Sequence, residues 1–195
     1  MKNQNVAEKY LTQKKTSALE ITFAVITAIG AVLFLMHWRY YGVPALAIGV
    51  AGLVFTMSAK IKDAEFDQLI NKILIDKSIE LQEANVLASF EPEIEPRVIG
   101  KDKTIRTSKY YIAELTYKDT ECLINLHELD LCAMSADTRK IKLPYSAHVE
   151  IVESEMMTAI GRKKIYHIVA EEYSLRFPVE TISMDVDDFI ARFTK

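Results

Sequence analysis

ITFAVITAIGAVLFLM (residues 21–36) and VPALAIGVAGLVFTMSA (residues 43–59) are two runs without a charged residue, joined by the turn His37-Trp38-Arg39-Tyr40-Tyr41-Gly42. An α-helix rises about 1.5 Å per residue, so each run reaches roughly 24–27 Å, enough to cross a hydrocarbon core of about 30 Å with slight thinning. The first run holds nine Ile, Leu, Val or Phe residues and the second seven. At about −0.3 to −0.6 kcal/mol each, the first set favours insertion by roughly 3–5 kcal/mol. The expected element is a transmembrane helical hairpin over residues 19–59. A soluble buried hairpin is the bland alternative, but an aromatic turn between two uncharged runs argues against it. A secretory signal peptide fits worse, because Glu20 abuts the first run, no small-x-small site follows, and a second span comes at once.

Working outward, Lys2, Lys9, Lys14 and Lys15 precede the hairpin, Lys60 and Lys62 follow it, and the turn carries only Arg39. The positive-inside bias then puts both termini in the cytoplasm, with Trp38, Arg39, Tyr40 and Tyr41 anchoring the turn at the outer headgroups. Small residues at helical spacing, Ala24, Thr27, Ala28 and Ala31 facing Ala45, Gly49, Gly52 and Thr56, are the expected contact between the spans. No ionisable group lies inside either run, so a proton or ion pathway has no candidate residue.

The rest is enough for one cytoplasmic domain. Residues 60–195 carry 19 Lys plus Arg against 25 Asp plus Glu, an acidic balance that disfavours a nucleic-acid polymer as partner. Cys122 and Cys132 fall on strand-like runs and read as small buried hydrophobes, not as a disulfide or a zinc site.

Residues 1–18 read as a cytoplasmic segment with a short helix capped by Asn3 or Asn5. Residues 60–84 read as an amphipathic stalk helix continuing from the second span, with Phe66, Leu69, Ile70, Ile73 and Leu74 on one stripe whose default role is to cover the domain. Glu91-Pro92-Glu93-Ile94-Glu95-Pro96 is an extended link. Over residues 85–195, counting Val86 to Phe90 as a first strand, with alternation at Tyr111, Ala113, Leu115 and Tyr117 and then at Cys122, Ile124 and Leu126, about seven short strands are expected. Ser135-Ala136-Asp137-Thr138 reads as a turn between two of them. The tail, with Asp185, Asp187 and Asp188 ahead of Val186, Phe189, Ile190 and Phe193, predicts a last helix that plugs an open barrel end. The fold class expected is an α+β membrane protein: a transmembrane hairpin, then a small antiparallel β-barrel closed by a C-terminal helix.

Lys142-Leu143-Pro144-Tyr145-Ser146-Ala147-His148-Val149-Glu150-Ile151, the strand Tyr173 to Val179 and the closing helix Asp187 to Phe193 resemble a bacterial pleckstrin-homology-like (PH-like) domain, a family often found beside transmembrane helices. The resemblance implies a binding module at the bacterial inner membrane and points to Lys101, Lys103 and Arg106 as the counterpart of a phosphoinositide-binding cluster. The order of hairpin and β-domain also resembles anti-phage effectors with two transmembrane helices and a barrel that binds a cyclic oligonucleotide. That resemblance implies a gated effector, with Arg139, Lys140 and Lys142 or Arg162, Lys163 and Lys164 on phosphates and Tyr145 or Tyr166 stacking on a base.

None of the common nucleotide-loop, nucleophile-elbow or zinc-protease motifs occurs, and the histidines are scattered, so no enzyme, catalytic residue, metal or cofactor is expected. The partners expected are the lipid bilayer, further copies through transmembrane or stalk helices, and a protein or small-molecule ligand.

Overall fold

The first apolar run begins as a helix because its free N–H groups are met by a capping box. Ser17 Oγ accepts from Glu20 N at 3.2 Å, and Ser17 N donates to the Glu20 carboxylate at 2.8 Å. The structure, a computed structural model, describes residues 4–13, 17–81, 85–158, 161–179 and 184–193. The expected cap at Asn3, and Lys2, Lys14 and Lys15, lie outside what is described, whereas Asn5 falls inside the first helix and is not its cap. The chain divides into two units, residues 12–62 and residues 1–11 with 63–195.

In the first unit α2 (Ala18–Leu35) and α3 (Arg39–Ser58) form an antiparallel pair turned at His37, which takes a φ of 67°; α1 (Gln4–Thr12) precedes them. The two backbones meet where side chains vanish. A Cβ on Gly30 would lie 2.6 Å from Leu46 N, and one on Gly49 would lie 2.7 Å from Thr27 N. The contact line on α3 is the expected one, but on α2 it turns towards Phe23, Thr27, Gly30 and Phe34, leaving Ala24 and Ala28 exposed. Glycine permits a closer approach than alanine, and this decides the rotation. Thr22, Thr27 and Thr56 return their hydroxyl protons to carbonyls four residues back at 2.9, 2.7 and 3.0 Å, so these hydroxyls are satisfied within the helices. Lys60 Nζ meets the Glu20 carboxylate at 2.8 Å, which pairs the acid that abuts the first apolar run.

The helix does not run on from the second apolar run, contrary to the sequence expectation. α3 stops at Ser58 and α4 (Asp63–Asp76) starts anew. Between them the Gln13 carboxamide accepts from Ile61 N at 3.1 Å and donates to Ile61 O at 2.9 Å, taking both backbone groups that a continuous helix would use.

The second unit is α+β. β1 (Val86–Phe90), β4 (Lys109–Tyr117), β5 (Glu121–Asp130) and β6 (Ser135–Pro144) form one antiparallel sheet. β2 (Val98–Ile99) and β3 (Ile105–Arg106) make a small hairpin in the connection from β1 to β4. β7 (Glu150–Thr158), β8 (Gly161–Ala170) and β9 (Leu175–Val179) form a third sheet, followed by α5 (Met184–Ala191). The turn expected at residues 135–138 lies instead at residues 131–134. The Asp130 carboxylate accepts from Cys132 N and Ala133 N at 3.0 and 2.9 Å, and Met134 takes a φ of 52°.

The expected closed barrel is not formed. β6 ends at Pro144 and does not pair with β7, and β9 pairs only with β8, so among the described residues the sheets keep open edges. Between the four- and three-stranded sheets, Leu115, Ile124, Leu126, Ile168 and Phe177 make a core into which α5 inserts Val186 and Phe189, with Phe193 just beyond. The C-terminal helix therefore fills the gap between two sheets instead of capping a barrel. On the other face of the larger sheet, Tyr10 of α1 stacks on Phe66 of α4 at 4.3 Å, Phe66 on Phe90 at 6.1 Å, and Phe90 meets Tyr110 edge-on at 4.6 Å. Phe66, Leu69 and Ile73, the buried stripe of α4, belong to this helical layer.

Candidate functional site

The basic residues singled out in the sequence fall in three places, and among them Arg106, Arg162 and Lys164 are ion-paired. Arg106 is 4% exposed and faces two carboxylates. Its Nε and Nη2 donate to Asp67, and its Nη1 and Nη2 to Asp102, all at 2.8 Å. The guanidinium holds the Asp102 carboxyl well below the usual carboxylate range. Beside it, Asp63 accepts from Tyr10 Oη and Lys101 N, both at 2.9 Å, and burial followed by this bond pushes the Tyr10 phenol up. Arg106 thus ties α4 to the β2–β3 turn and is not available to a ligand.

Lys101 and Lys103 are exposed on that turn. Lys103 O accepts from Lys163 Nζ at 3.0 Å, so the turn meets the start of β8, a pairing that sequence reading did not foresee. Arg162 faces Glu155 at 3.5 Å and Lys164 faces Glu153 at 2.6 Å. Here Phe90, Pro92, Ile105, Ile165 and Val179, with Lys163 and Lys164, line a shallow open depression. Lys163 and Lys164 are the basic side chains of its lining, and Lys103 reaches it only through the carbonyl that Lys163 meets.

Arg139, Lys140 and Lys142 lie elsewhere, exposed on the edge strand β6, and form no ion pair among the described residues. The tyrosines offered as stacking faces are occupied. Tyr145 Oη donates to Lys118 O at 2.9 Å while its ring tilts on Phe193 at 5.4 Å, and Tyr166 packs against the core. Trp38, Tyr40 and Tyr41 are exposed at the hairpin turn, and Arg39 lies over the Phe34 ring at 5.8 Å.

Two polar clusters escaped the sequence reading. On the larger sheet, His127 Nε2 lies 3.1 Å from Glu114 and its Nδ1 lies 2.9 Å from Thr138 Oγ1. The register sets Ile112, His127 and Thr138 in one row, which brings imidazole and hydroxyl together. At the junction of the two large sheets, His167 of β8, 1% exposed, lies 3.2 Å from Glu91, and Glu93 pairs with Arg176 of β9 at 2.7 Å. Residues 76 and 83 apart leave no local signal for such contacts. Neither imidazole hydrogen-bonds a thiol among the described residues, and burial pushes the Cys122 thiol up to about 11, so it stays protonated and unreactive at neutral pH.

No protein-family model matches the chain, nor does any curated protein or solved structure.

Proposed function

We propose that the chain is a two-span protein of the bacterial inner membrane, whose β-rich unit is a PH-like binding module held in the cytoplasm. One observation carries the reading. The helices of the hairpin bury only 6% and 11% of their apolar windows, while Val25, Ile29, Val32 and Phe55 face outward. That much contiguous apolar surface is unstable in water and is what a hydrocarbon core covers. The PH-like assignment is supported by strand order: a four-stranded meander, a three-stranded meander, then a helix inserted between them.

The module's ligand is anionic and of modest size, a small molecule or an acidic segment of a protein, received at the depression beside Lys103, Lys163 and Lys164. The acidic balance of the domain argues against a nucleic-acid polymer. Binding there keeps the ligand near the bilayer without any reaction.

Washing membranes from cells expressing the full chain with alkaline carbonate tests the anchor, and tags at both ends read by protease accessibility test its orientation. The proposal expects the chain in the pellet and both tags protected in right-side-out spheroplasts. Release into the supernatant would overturn it. The effector reading differs in one measurement: loss of membrane potential when a cyclic oligonucleotide is supplied, where a passive anchor leaves the potential intact.

A further inference from the structure

We infer that Glu91, Glu93 and His167 form a binding site for a divalent transition metal, with zinc the ion they fit best. The three side chains each offer one donor atom, and these atoms lie within 4.8 Å of one another. Tetrahedral zinc with bonds of about 2.0–2.2 Å wants donors roughly 3.4 Å apart. His167 Nε2 and Glu91 Oε1 already stand 3.2 Å apart, so the adjustment falls on Glu93, whose exposed side chain would exchange Arg176 for the ion.

Two of the three ligands are fixed before any ion arrives. His167 is buried on the central strand of its sheet, between β7 and β9. Glu91 N donates to Lys109 O at 3.1 Å, and Glu91 O accepts from Thr107 Oγ1 at 2.9 Å, which pins the backbone as it leaves β1. Buried Pro92 stiffens the step to Glu93. Preorganisation of this kind lowers the ordering cost of coordination. An imidazole nitrogen with two carboxylates is a donor set for zinc and its neighbours, whereas calcium and magnesium prefer oxygen alone.

The charge balance points the same way. Two carboxylates converge on one buried ring, and the cation now facing them is Arg176, on Glu93 at 2.7 Å. Arg176 is well exposed and can swing aside. Three protein ligands leave a fourth position for water or an incoming anion. The metal site rests on Glu91, Glu93 and His167 alone and stands whether or not the hairpin crosses a membrane.

The test is zinc binding by the full chain in detergent, stripped with chelator and then titrated with zinc chloride against a chromophoric zinc indicator. One zinc per chain at micromolar concentration is expected. Glu93→Gln should weaken it at least about tenfold, as the loss of a ligand does. Arg176→Gln should strengthen it by removing the competing cation, an effect a merely structural ion pair would not produce. His167→Gln should abolish binding; should that variant fail to fold, the Glu93→Gln and Arg176→Gln pair decides. No zinc bound by the wild-type chain, or affinity unmoved by both Glu93→Gln and Arg176→Gln, overturns the site.

Discussion

In the hairpin, Gly30 and Gly49 are buried while Val25, Ile29 and Phe55 are exposed; in the β-rich unit, Leu126, Phe177 and Phe189 are buried while Arg139, Lys140 and Lys142 are exposed. On the proposed reading, the inversion reflects what surrounds each unit. Where water is outside, apolar area is removed from it and charge is left at the surface. Where lipid is outside, burying a leucine gains nothing, and helices associate through the small residues that let backbones touch. Polar groups follow the same division. The hairpin's threonines turn their protons back onto their own helices, whereas the β-rich unit joins distant elements through Arg106 and His167.

The contrast can be broken from either side. The largest effect belongs to Phe189→Ala, which opens a cavity between the sheets and should cost about 3–5 kcal/mol. Thermal unfolding of the full chain in detergent reads it, and an unchanged midpoint would remove α5 from the core. Next comes Ile29→Lys. On a water-facing helix it would be neutral, but in a bilayer it should cost about 3 kcal/mol of insertion. The readout is the fraction of chain that resists carbonate extraction, and no loss would put water around α2. Arg106→Met leaves Asp67 and Asp102 solvated without their partner and should lower the stability of the β-rich unit by about 2 kcal/mol, measured by urea unfolding. Lys164→Ala, at an exposed pair with Glu153, should change that stability by no more than about 0.5 kcal/mol while weakening any anion held in the depression.

Periodicity made the strands β4 and β5, the last helix and the two apolar helices legible, because each is specified by residues within a few turns or pleats of one another. The α2 contact face was misjudged for a local reason: alanine and glycine look alike in a count of small residues, yet only glycine permits the approach at residue 30. What stayed hidden has partners far along the chain. Arg106 resembled a phosphate ligand until Asp67, 39 residues earlier, claimed it. Glu91 and Glu93 looked like part of an acidic linker, and only the packing of β8 against the end of β1 gives them His167. The barrel expectation failed because strand count says nothing about closure.

Trp38 is the chain's single tryptophan and sits at the hairpin turn, so its fluorescence reports the surroundings of that turn without mutagenesis. The decisive measurement is quenching by lipids carrying bromine at graded depths, with the full chain reconstituted in vesicles. Strong quenching by shallow labels, fading with depth, is the outcome expected of an anchored turn. Quenching by aqueous iodide alone, with no response to any brominated lipid, would contradict it.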